Sequence, residues 1–361
     1  MLFTDEELER YRRHLNLRDV GPAGQAVLKR SHVLCVGAGG LGSPALLYLA
    51  AAGVGHLTLI DDDRVERSNL QRQVLHTTEA IGTLKVESAR ARLRALNPHI
   101  EIQSIPERFT TTNAAKLVAQ HDVVLDGTDN LATRYLIDDT CVAHQTPWVY
   151  GAILRFEGQV SVFGHAGGPR YRDLFPTPPP PGATPSCAEA GVLGVLPGII
   201  GSLQAMEVLK ILLNIGEPLS GRVVIYDALA TRFSTLSLAP GHATDTPHSM
   251  PLEETCPLPN VASMKPREAL DRRNDGWDAC WVDVRSAAEW TEGHLAWIEH
   301  HIPHDDFGRL DELREEARPI VLVCRSGQRA QLAAARLTEL GHAKPIVLEG
   351  GMLAWKLATA T

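Results

Sequence analysis

The sequence is poor in cysteine and in aromatic residues. It has six cysteines among 361 residues, scattered at positions 35, 141, 187, 256, 280 and 324, and aromatic residues make up 5%. Disulfide-stabilised domains have far denser and more regularly spaced cysteines than this. We therefore expect free thiols in a reducing cytosol, each either a core residue or a catalytic group. Cys35 and Cys141, in apolar or helical runs, are expected to be packing residues.

Long uncharged hydrophobic stretches and an excess of positive charge are also missing. No window reaches the uncharged, apolar length that spans a bilayer, and the acidic start of the chain differs from the basic start of a signal peptide. The formal net charge of −8 argues against a general nucleic-acid-binding protein. We therefore expect a cytoplasmic protein that binds neither a membrane nor nucleic acid.

What the sequence contains is an alternation of short apolar strands with helices. A length of 361 residues and a hydrophobic content of 44% are enough for two domains with full cores. Such alternation is typical of a doubly wound α/β sheet. The predicted strands cover residues 33–36, 57–60, 100–105, 123–127, 148–150, 159–163 and 222–227, and the predicted helices cover 4–15, 43–52, 83–96, 131–144 and 197–213.

Two polar segments interrupt this alternation. Residues 176–185 are rich in proline and predict an extended loop. Residues 240–264 carry five prolines and few periodic apolar residues. We interpret 240–262 as a linker between a first domain, residues 1–239, and a second domain, residues 263–361.

A glycine-rich turn follows the first predicted strand. Its glycines are Gly37, Gly39, Gly40 and Gly42. Glycines in such a turn let the backbone approach a phosphate at a helix N-terminus. Asp61, at the end of the second predicted strand, stands where a ribose hydroxyl would be held. By themselves these residues suggest a dinucleotide such as NAD.

Charged residues further along the chain fit a triphosphate better than a dinucleotide. Arg72 and Lys85 supply two cations, and Asp129 follows a predicted strand. A nucleoside triphosphate needs its negative charge neutralised and a Mg²⁺ ion held by carboxylate oxygens. We therefore predict that the chain uses ATP and Mg²⁺, with Asp129 as the metal ligand.

Together these motifs resemble the ThiF/MoeB family, the bacterial relatives of ubiquitin-activating enzymes, from about Leu8 to about Ser237. The resemblance implies a doubly wound, Rossmann-like mixed sheet and a homodimer. It also implies that an arginine at the position of Arg13 reaches the ATP of the partner subunit. The ATP-binding residues implied by the resemblance are Arg13, Gly37, Gly39, Gly40, Gly42, Asp61, Asn69, Arg72, Gln73, Lys85, Asp129 and Asn130.

A second motif follows the linker. Cys324 stands between the apolar stretch 319–323 and a predicted helix at 330–340. Backbone N–H groups and two arginines around such a cysteine would hold a bound persulfide anion. The loop consists of Cys324, Arg325, Ser326, Gly327, Gln328 and Arg329.

This region resembles the rhodanese family from about Met264 to about Lys356. Supporting matches are Asp283, Val284, Arg285, Glu289, Gly293, His294 and residues 349–355. The loop has six residues, the length found in sulfur carriers, whereas related phosphatases use a longer loop. The resemblance implies a small α/β domain with sulfurtransferase activity.

The two resemblances together imply a fused activator and sulfurtransferase. A small ubiquitin-like sulfur-carrier protein would have its C-terminal Gly-Gly carboxylate adenylated with ATP. Cys324, loaded by thiosulfate or a cysteine desulfurase, would then supply sulfur for a thiocarboxylate. The family often carries a cysteine at the position of Cys187, on a crossover loop able to reach the activated acyl group. The predicted catalytic residues are Arg72, Lys85, Asp129, Cys187 and Cys324.

Other functions remain open. The chain could be an NAD-binding redox protein with a rhodanese appendage, an activator of a modified tRNA base, or a non-catalytic scaffold. The acidic charge and the rhodanese-like region disfavour the tRNA base, and the intact Lys85, Asp129 and Cys324 disfavour the scaffold. The pathway also stays open among molybdopterin biosynthesis, thiamine biosynthesis, tRNA thiolation and a specialised metabolite.

Several residues have a plainer interpretation. Many relatives hold a structural zinc ion with two C-x-x-C pairs. Here Arg170 and Asp173 stand at the first pair and residues 239–249 contain no cysteine, so we expect no structural zinc. We interpret Arg134 as a surface helix residue and a histidine-rich cluster as a solvated loop. That cluster consists of His300, His301, His304, Asp305 and Asp306.

Overall fold

The computed structural model describes residues 2–177, 191–241, 261–304, 306–325, 327–342 and 345–359. The chain divides into two compact units, Met1–Leu252 and Glu253–Thr361. Each unit has its own sheet and its own hydrophobic core.

The first unit is built on one mixed sheet. Its strands are β1 His32–Val36, β2 His56–Ile60, β3 Glu101–Ile105, β4 Val123–Asp126, β5 Trp148–Leu154, β6 Glu157–Phe163, β7 Arg222–Asp227 and β8 Arg232–Ser237. They lie in the order β3-β2-β1-β4-β5-β6-β7-β8. β1 to β5 are parallel, and β6, β7 and β8 continue the sheet in antiparallel pairs. The predicted doubly wound α/β fold is confirmed.

The helices of the first unit cover the sheet and its edges. They are α1 Asp5–Arg10, α2 Arg12–Leu15, α3 Gly21–Arg30, α4 Gly42–Ala52, α5 Lys85–Leu96, α6 Ala114–Val118, α7 Leu131–His144, α8 Tyr171–Leu174 and α9 Val195–Leu213. α1 begins with a reciprocal capping box between Thr4 and Glu7. The strand order reverses at β1, which lies between β2 and β4. Open α/β sheets bind ligands at the carboxyl ends of the strands beside such a reversal.

Two strands differ from the sequence-based expectation. The strand predicted to end at residue 150 continues to Leu154 and pairs back directly onto β6, where Leu154 lies opposite Glu157. β8 is not among the predicted strands. All six of its residues are exposed, so its sequence lacks the alternation that identifies a half-buried strand.

α9 is long and apolar enough, by length and composition, to cross a membrane. The expectation that no segment reaches this length is therefore wrong. In the folded chain α9 packs against α4 and against β5 and β6. Its buried residues include Leu196, Ile200, Ala205 and Val208. The face of α9 that contacts the sheet and α4 is apolar for that reason, whereas Val195 and Met206 on its outer face are 61% and 54% exposed.

The second unit is a five-stranded parallel sheet flanked by short helices. Its strands are β9 Ala262–Met264, β10 Cys280–Asp283, β11 His300–His301, β12 Ile320–Val323 and β13 Ile346–Leu348, in the order β11-β10-β12-β13-β9. Its helices are α10 Pro266–Asn274, α11 Ala287–Thr291, α12 Gln328–Glu339 and α13 Gly351–Thr359. The predicted small α/β architecture of this region is confirmed.

The histidine pair expected in a solvated loop forms β11. His300 pairs with Val282 and His301 with Asp283 in parallel register. Both histidines are partly buried, and Nε2 of His301 lies 2.9 Å from the carbonyl oxygen of Arg285. The loop prediction is wrong for these two residues because a strand this short has no periodic pattern to reveal it.

Candidate functional site

The glycine-rich turn between β1 and α4 is closely packed against the end of β4. Gly37 has a φ of +94°, which L side chains rarely adopt. A β-carbon at Gly37 would lie 2.8 Å from the carbonyl oxygen of Gly127, and one at Gly42 would collide with the carbonyl of Gly37. The turn therefore requires glycine. It brings the N-terminus of α4 to the carboxyl ends of β1 and β4.

Asp61 directly follows β2 and braces this turn. Its Oδ2 accepts a hydrogen bond from the N–H of Ala38 at 2.8 Å. Its Oδ1 accepts one from the N–H of Asp63, also at 2.8 Å. The carboxylate is thereby held beside the glycine-rich turn, where a ribose contact would need it.

A helical turn between β2 and α5 carries three more predicted residues to the glycines. The carbonyl of Asn69 accepts hydrogen bonds from the N–H groups of Arg72 and Gln73, at 3.0 and 2.9 Å. Nε2 of Gln73 lies 3.8 Å from the position of a β-carbon on Gly39. Cγ of Arg72 lies 3.6 Å from the equivalent position on Gly40. Arg72 and Gln73 therefore lie against the turn, and Asn69 is hydrogen-bonded to the backbone of both.

Two buried oxygen atoms near the turn have no hydrogen-bond partner among the described residues. They are Oε1 of Gln73 and Oγ of Ser43, which follows the last glycine of the turn. Both residues are buried. Buried polar atoms in proteins are nearly always hydrogen-bonded, so this hydroxyl and this amide oxygen are suited to a hydrogen bond with a ligand or an ordered water. A nucleotide at the turn fits this requirement.

Lys85 begins α5, and its side chain is 8% exposed. Its Nζ lies 2.6 Å from Oδ2 of Asp63, and its N–H donates to the Asp63 carbonyl at 2.9 Å. The carboxylates of Asp61, Asp62 and Asp63 lie within 4.8 Å of one another. The predicted cation is thus present at the end of β2 but already paired, and a phosphate would have to compete with Asp63.

Asp129 and Asn130 connect β4 to α7. The N–H of Gly127 donates to the carbonyl of Val36 at 2.8 Å, which joins this segment to the end of β1. Asn130 caps α7, since its Oδ1 accepts a hydrogen bond from the N–H of Thr133 at 3.2 Å. Asp129 is exposed, and within the described part of the chain no hydrogen bond or ion pair reaches its carboxylate.

Arg134 is buried, so its interpretation as a surface residue is wrong. Its Nε donates to Oδ2 of Asp126 at 2.9 Å, and its Nη2 donates to the carbonyls of Thr128 and Gly151 at 2.8 and 2.9 Å. Burial raises the pKa of Asp126, and the guanidinium opposes that shift. Burial lowers the pKa of the Arg134 guanidinium, but the negative charge of Asp126 has the opposite and larger effect, so this pKa is raised. The one signal in the sequence is spacing, because Arg134 lies one turn after Asn130 on the same helix face.

Arg170 and Arg172 form ion pairs with α7, and Asp173 caps the short helix α8 that carries Arg172. Arg170 lies 3.2 Å from Asp138 and 3.0 Å from Asp139, and Arg172 lies 2.7 Å from Asp139. The Asp173 carboxylate accepts a hydrogen bond from the N–H of Arg170 at 2.8 Å. A guanidinium cannot ligate Zn²⁺. These residues therefore do not fit a structural zinc site.

We expect the purified protein to carry no stoichiometric zinc. Because ion pairs hold α8 against α7, a chelator should leave the midpoint of thermal unfolding unchanged. Elemental analysis by mass spectrometry measures the metal content, and differential scanning fluorimetry with and without EDTA measures the midpoint. About one zinc per chain, or a midpoint that falls with EDTA, would contradict this prediction.

Cys324 follows β12 in the second unit and is fully buried. The N–H of Gly327, a residue with a φ of +99°, donates to its Sγ at 3.0 Å. The carbonyl of Cys324 accepts a hydrogen bond from the N–H of Met352 at 2.8 Å, so α13 closes over the loop. Gln328 begins α12, and Ser326 lies outside the described residues. A backbone donor aimed at the sulfur suits a sulfur anion.

The two arginines of this loop are not equivalent. Arg325 is exposed, whereas Arg329 is buried and donates from both Nη atoms to the Glu289 carboxylate, at 2.7 and 2.8 Å. The hydrogen bonds from Arg329 lower the pKa of Glu289 to about 2, against the opposing effect of burial. The expectation that both arginines add positive charge to the loop is therefore wrong for Arg329, because Glu289 neutralises it.

Most of the other residues that match the rhodanese pattern lie around β10 and α11, whereas residues 349–355 follow β13 and enter α13. Arg285 donates to the Asp283 carboxylate at 2.7 Å and to the carbonyl of Gly293 at 2.9 Å. The rings of Trp290 and His294 stack with their centroids 3.7 Å apart. The hydrogen bond from Arg285 thus ties the segment around Gly293 to the end of β10.

The remaining predicted site residues lie elsewhere. Arg13 is exposed on α2, and Cys187 lies outside the described residues. Cys35 and Cys141 are buried packing residues, as expected, and burial raises the pKa of both thiols.

Comparisons with known proteins match both regions of the chain. The model of the ThiF family matches residues 11–247, and that of the rhodanese-like domain matches residues 265–358. The chain is 40% identical to the probable adenylyltransferase/sulfurtransferase MoeZ of Mycobacterium tuberculosis, over 97% of this chain and 93% of that protein. It is 54% identical to the sulfur carrier protein adenylyltransferase of Thermus thermophilus, over 66% of this chain and 90% of that protein.

Solved structures support the same fold. The crystal structure of E. coli MccB with MccA-N7isoASN superposes with a TM-score of 0.58 at 20% sequence identity, covering 64% of this chain and 72% of that one. At this level of identity the likeness concerns the fold alone.

Proposed function

This chain belongs to the ThiF family and carries a rhodanese-like domain, and on that premise we propose that it converts the C-terminal Gly-Gly carboxylate of a small ubiquitin-like protein into a thiocarboxylate. It is an ATP-using adenylyltransferase and a sulfurtransferase that acts on sulfur-carrier proteins. One observation carries the proposal. The glycine-rich turn, Arg72, Lys85 and Asp129 gather at one edge of a sheet, in the same chain as the buried loop cysteine Cys324.

In the first half-reaction, a carboxylate oxygen of the carrier attacks the α-phosphorus of ATP. The bond from that phosphorus to the bridging oxygen breaks, and pyrophosphate leaves. A C-terminal carboxylate is already ionised near neutral pH, so no general base is needed. The barrier is the repulsion between two anions. Arg72 and Lys85, together with Arg13 of a second subunit, would neutralise it and stabilise the charge on pyrophosphate.

Asp129 suits a hard divalent cation. Its carboxylate is exposed and has no hydrogen bond from any described residue, so both oxygens remain available as ligands. Mg²⁺ prefers such oxygen ligands, and bound there it would add positive charge next to the phosphates. Asp61 would hold the ribose, and the other nucleotide contacts would come from Asn69, Gln73 and Asn130.

In the second half-reaction, the terminal sulfur of a persulfide on Cys324 attacks the acyl carbon and displaces AMP. An acyl disulfide then joins the carrier to Cys324. A second thiol, which we assign to Cys187, attacks Sγ of Cys324, so that the sulfur–sulfur bond breaks and the thiocarboxylate leaves. The disulfide left on the enzyme is reduced by a dithiol, and thiosulfate or a cysteine desulfurase reloads Cys324.

An exposed apolar patch offers a docking surface for the carrier. Leu154 and Phe156 stand at the turn between β5 and β6, and Leu229 and Phe233 at the turn between β7 and β8; these side chains are 45% to 75% exposed. β6 is antiparallel to both β5 and β7, so the carboxyl ends of β5 and β7 share one edge of the sheet. The glycine-rich turn and Asp129 lie at that same edge. A carrier on this patch would therefore stand near the nucleotide.

Intact-mass spectrometry of candidate Gly-Gly carriers tests the proposal. Incubation with the enzyme, Mg²⁺, ATP, thiosulfate and a dithiol reductant should replace one oxygen at the carrier C-terminus with sulfur, and omission of ATP should prevent this. A carrier without its last glycine is the matched control and should keep its mass. Oxidation of NADH without a thiocarboxylate on any carrier would favour the nicotinamide-dependent alternative.

We also propose that the first unit forms a homodimer through an apolar face on α4 and α9. Tyr48, Val195 and Met206 on this face are 60%, 61% and 54% exposed. His14 lines the same groove, and Arg13 is its neighbour in α2. A second copy on this face would therefore have Arg13 at its border, as the family resemblance requires.

Replacing Met206 with aspartate is expected to convert the dimer into monomers, because the interface would then bury an unpaired carboxylate. Sedimentation velocity at micromolar concentration measures the change. Val142→Asp, at an exposed apolar residue of α7, is the matched control and should stay dimeric. A monomeric wild-type protein, or a dimeric Met206→Asp variant, would exclude this face as the interface.

A further inference from the structure

The buried ion pair of Asp126 and Arg134 holds the segment that carries Asp129. Asp126 is fully buried at the end of β4, and Arg134 is 7% exposed. Oδ1 of Asp126 accepts hydrogen bonds from the N–H and the hydroxyl of Thr128, at 2.9 and 2.8 Å. Nη2 of Arg134 donates to the carbonyl of Thr128 at 2.8 Å. Thr128, directly before Asp129, is therefore held at three atoms by one ion pair.

The same pair joins this segment to two neighbouring elements. Arg134 also donates to the carbonyl of Gly151 in β5 at 2.9 Å, and its guanidinium carbon lies 5.3 Å from the centre of the Tyr150 ring. From α9, Nε2 of Gln204 donates to the carbonyl of Asp126 at 2.7 Å. The end of β4 is thus held by α7, β5 and α9 together.

An ion pair buried this deeply is a poor means of stabilising a fold. The cost of removing two charges from water is about as large as their attraction, and apolar residues of similar volume often serve stability equally well. Apolar residues could not supply the directed hydrogen bonds to Thr128. Those hydrogen bonds therefore point to a geometric role.

We propose that Arg134 is a positioning residue of the adenylation site, which acts through Asp126 and Thr128 to orient Asp129 for Mg²⁺. The inference rests on the function proposed above. Because no hydrogen bond from any described residue holds the Asp129 carboxylate, its direction depends on its backbone. Without Arg134 the carboxylate samples more directions, and the magnesium–nucleotide complex binds less tightly.

Binding of an ATP analogue with a methylene bridge between the β- and γ-phosphorus tests this role without any carrier. Isothermal titration calorimetry measures the dissociation constant with and without Mg²⁺. Arg134→Met should weaken binding roughly tenfold to a hundredfold with Mg²⁺ and less than about threefold without it. Arg134→Lys keeps the positive charge but not the planar guanidinium donors. Its dissociation constant with Mg²⁺ should therefore lie between those of Arg134→Met and the wild type.

Arg170→Met is the matched control. Arg170 is also a largely buried arginine that pairs with α7, but at Asp138, two turns after the cap of that helix. It should lower the midpoint of thermal unfolding without changing the Mg²⁺ dependence of binding. The same Mg²⁺-specific loss in Arg170→Met, or an equal loss with and without Mg²⁺ in Arg134→Met, would overturn the proposal.

Asp126→Asn provides the test if Arg134→Met does not fold, since it keeps the shape of the pair and removes its negative charge. Asp126→Asn should also bind the analogue more weakly only when Mg²⁺ is present. A dissociation constant equal to that of the wild type would overturn the proposal. Asp129→Ala separates the two hypotheses. If Mg²⁺ no longer tightens binding of the analogue to Asp129→Ala but still does so for the Arg134 variants, the positioning role fails and the proposed function stands. If wild type does not bind the analogue, both fail.

Discussion

Replacing Cys324 with alanine is expected to abolish sulfur transfer while ATP–pyrophosphate exchange stays near the wild-type rate. The persulfide needs Sγ of Cys324, and alanine leaves the N–H of Gly327 without its sulfur acceptor. Exchange depends instead on residues at the sheet edge of the first unit. Transfer of sulfur from thiosulfate to cyanide measures the first activity, and carrier-dependent exchange of labelled pyrophosphate into ATP measures the second.

Cys280→Ala is the matched control for this variant. Cys280 is also buried in the second unit, at the start of β10, and burial raises its pKa to about 12, so it is an inert thiol. Both activities should survive its replacement. A joint loss of exchange and sulfur transfer in Cys324→Ala would mean that the two half-reactions cannot be separated.

Cys187→Ser distinguishes the two proposed thiols. It should keep pyrophosphate exchange and the transfer of sulfur to cyanide, but lower the yield of thiocarboxylate on the carrier. Because no second thiol would then resolve the acyl disulfide, a reductant-sensitive adduct between the carrier and Cys324 should accumulate on a denaturing gel. An unchanged thiocarboxylate yield would leave Cys324 as the only essential thiol.

Replacing Asp129 with alanine is expected to lower carrier-dependent pyrophosphate exchange by about a hundredfold or more. Without this carboxylate the site would no longer hold the Mg²⁺ that neutralises the phosphates. The free energy of unfolding should change by no more than about 0.5 kcal/mol, since the side chain is exposed and unbonded among the described residues. Exchange of labelled pyrophosphate and denaturant unfolding measure the two effects.

Asp122→Ala controls for the loss of an aspartate next to the same strand. Asp122 is exposed just before β4, at the opposite edge of the sheet, and accepts a hydrogen bond from the N–H of His32 at 2.8 Å. Pyrophosphate exchange by Asp122→Ala should stay at the wild-type rate. Exchange near the wild-type rate in Asp129→Ala would remove Asp129 from the site.

Much of the fold could be predicted because its central elements carry regular local patterns. After an initial histidine, β1 is apolar throughout and β2 is apolar except at Thr58, as expected of parallel strands buried on both faces. β8 has no buried face and β11 has only two residues, so neither carries a period that a sequence can reveal. α9 is apolar both on the face that packs in the core and at the exposed Val195 and Met206, and composition alone cannot distinguish such a helix from one that crosses a membrane.

Local patterns in the sequence are enough to predict which segments carry the chemistry. The glycine-rich turn with Asp61 and the loop that begins at Cys324 are short segments, and their chemistry needs particular residue types at particular spacings. Those requirements are local, so they can be read without a structure.

Which charges are already paired can be seen only in the folded chain. Arg134 is paired with Asp126 across 8 residues, Lys85 with Asp63 across 22, and Arg329 with Glu289 across 40. The energy of a charge depends on its distance from other charges and on its burial, not on separation along the chain. No local pattern contains that information, and the role of Arg134 emerges only when β4, β5, α7 and α9 are brought together.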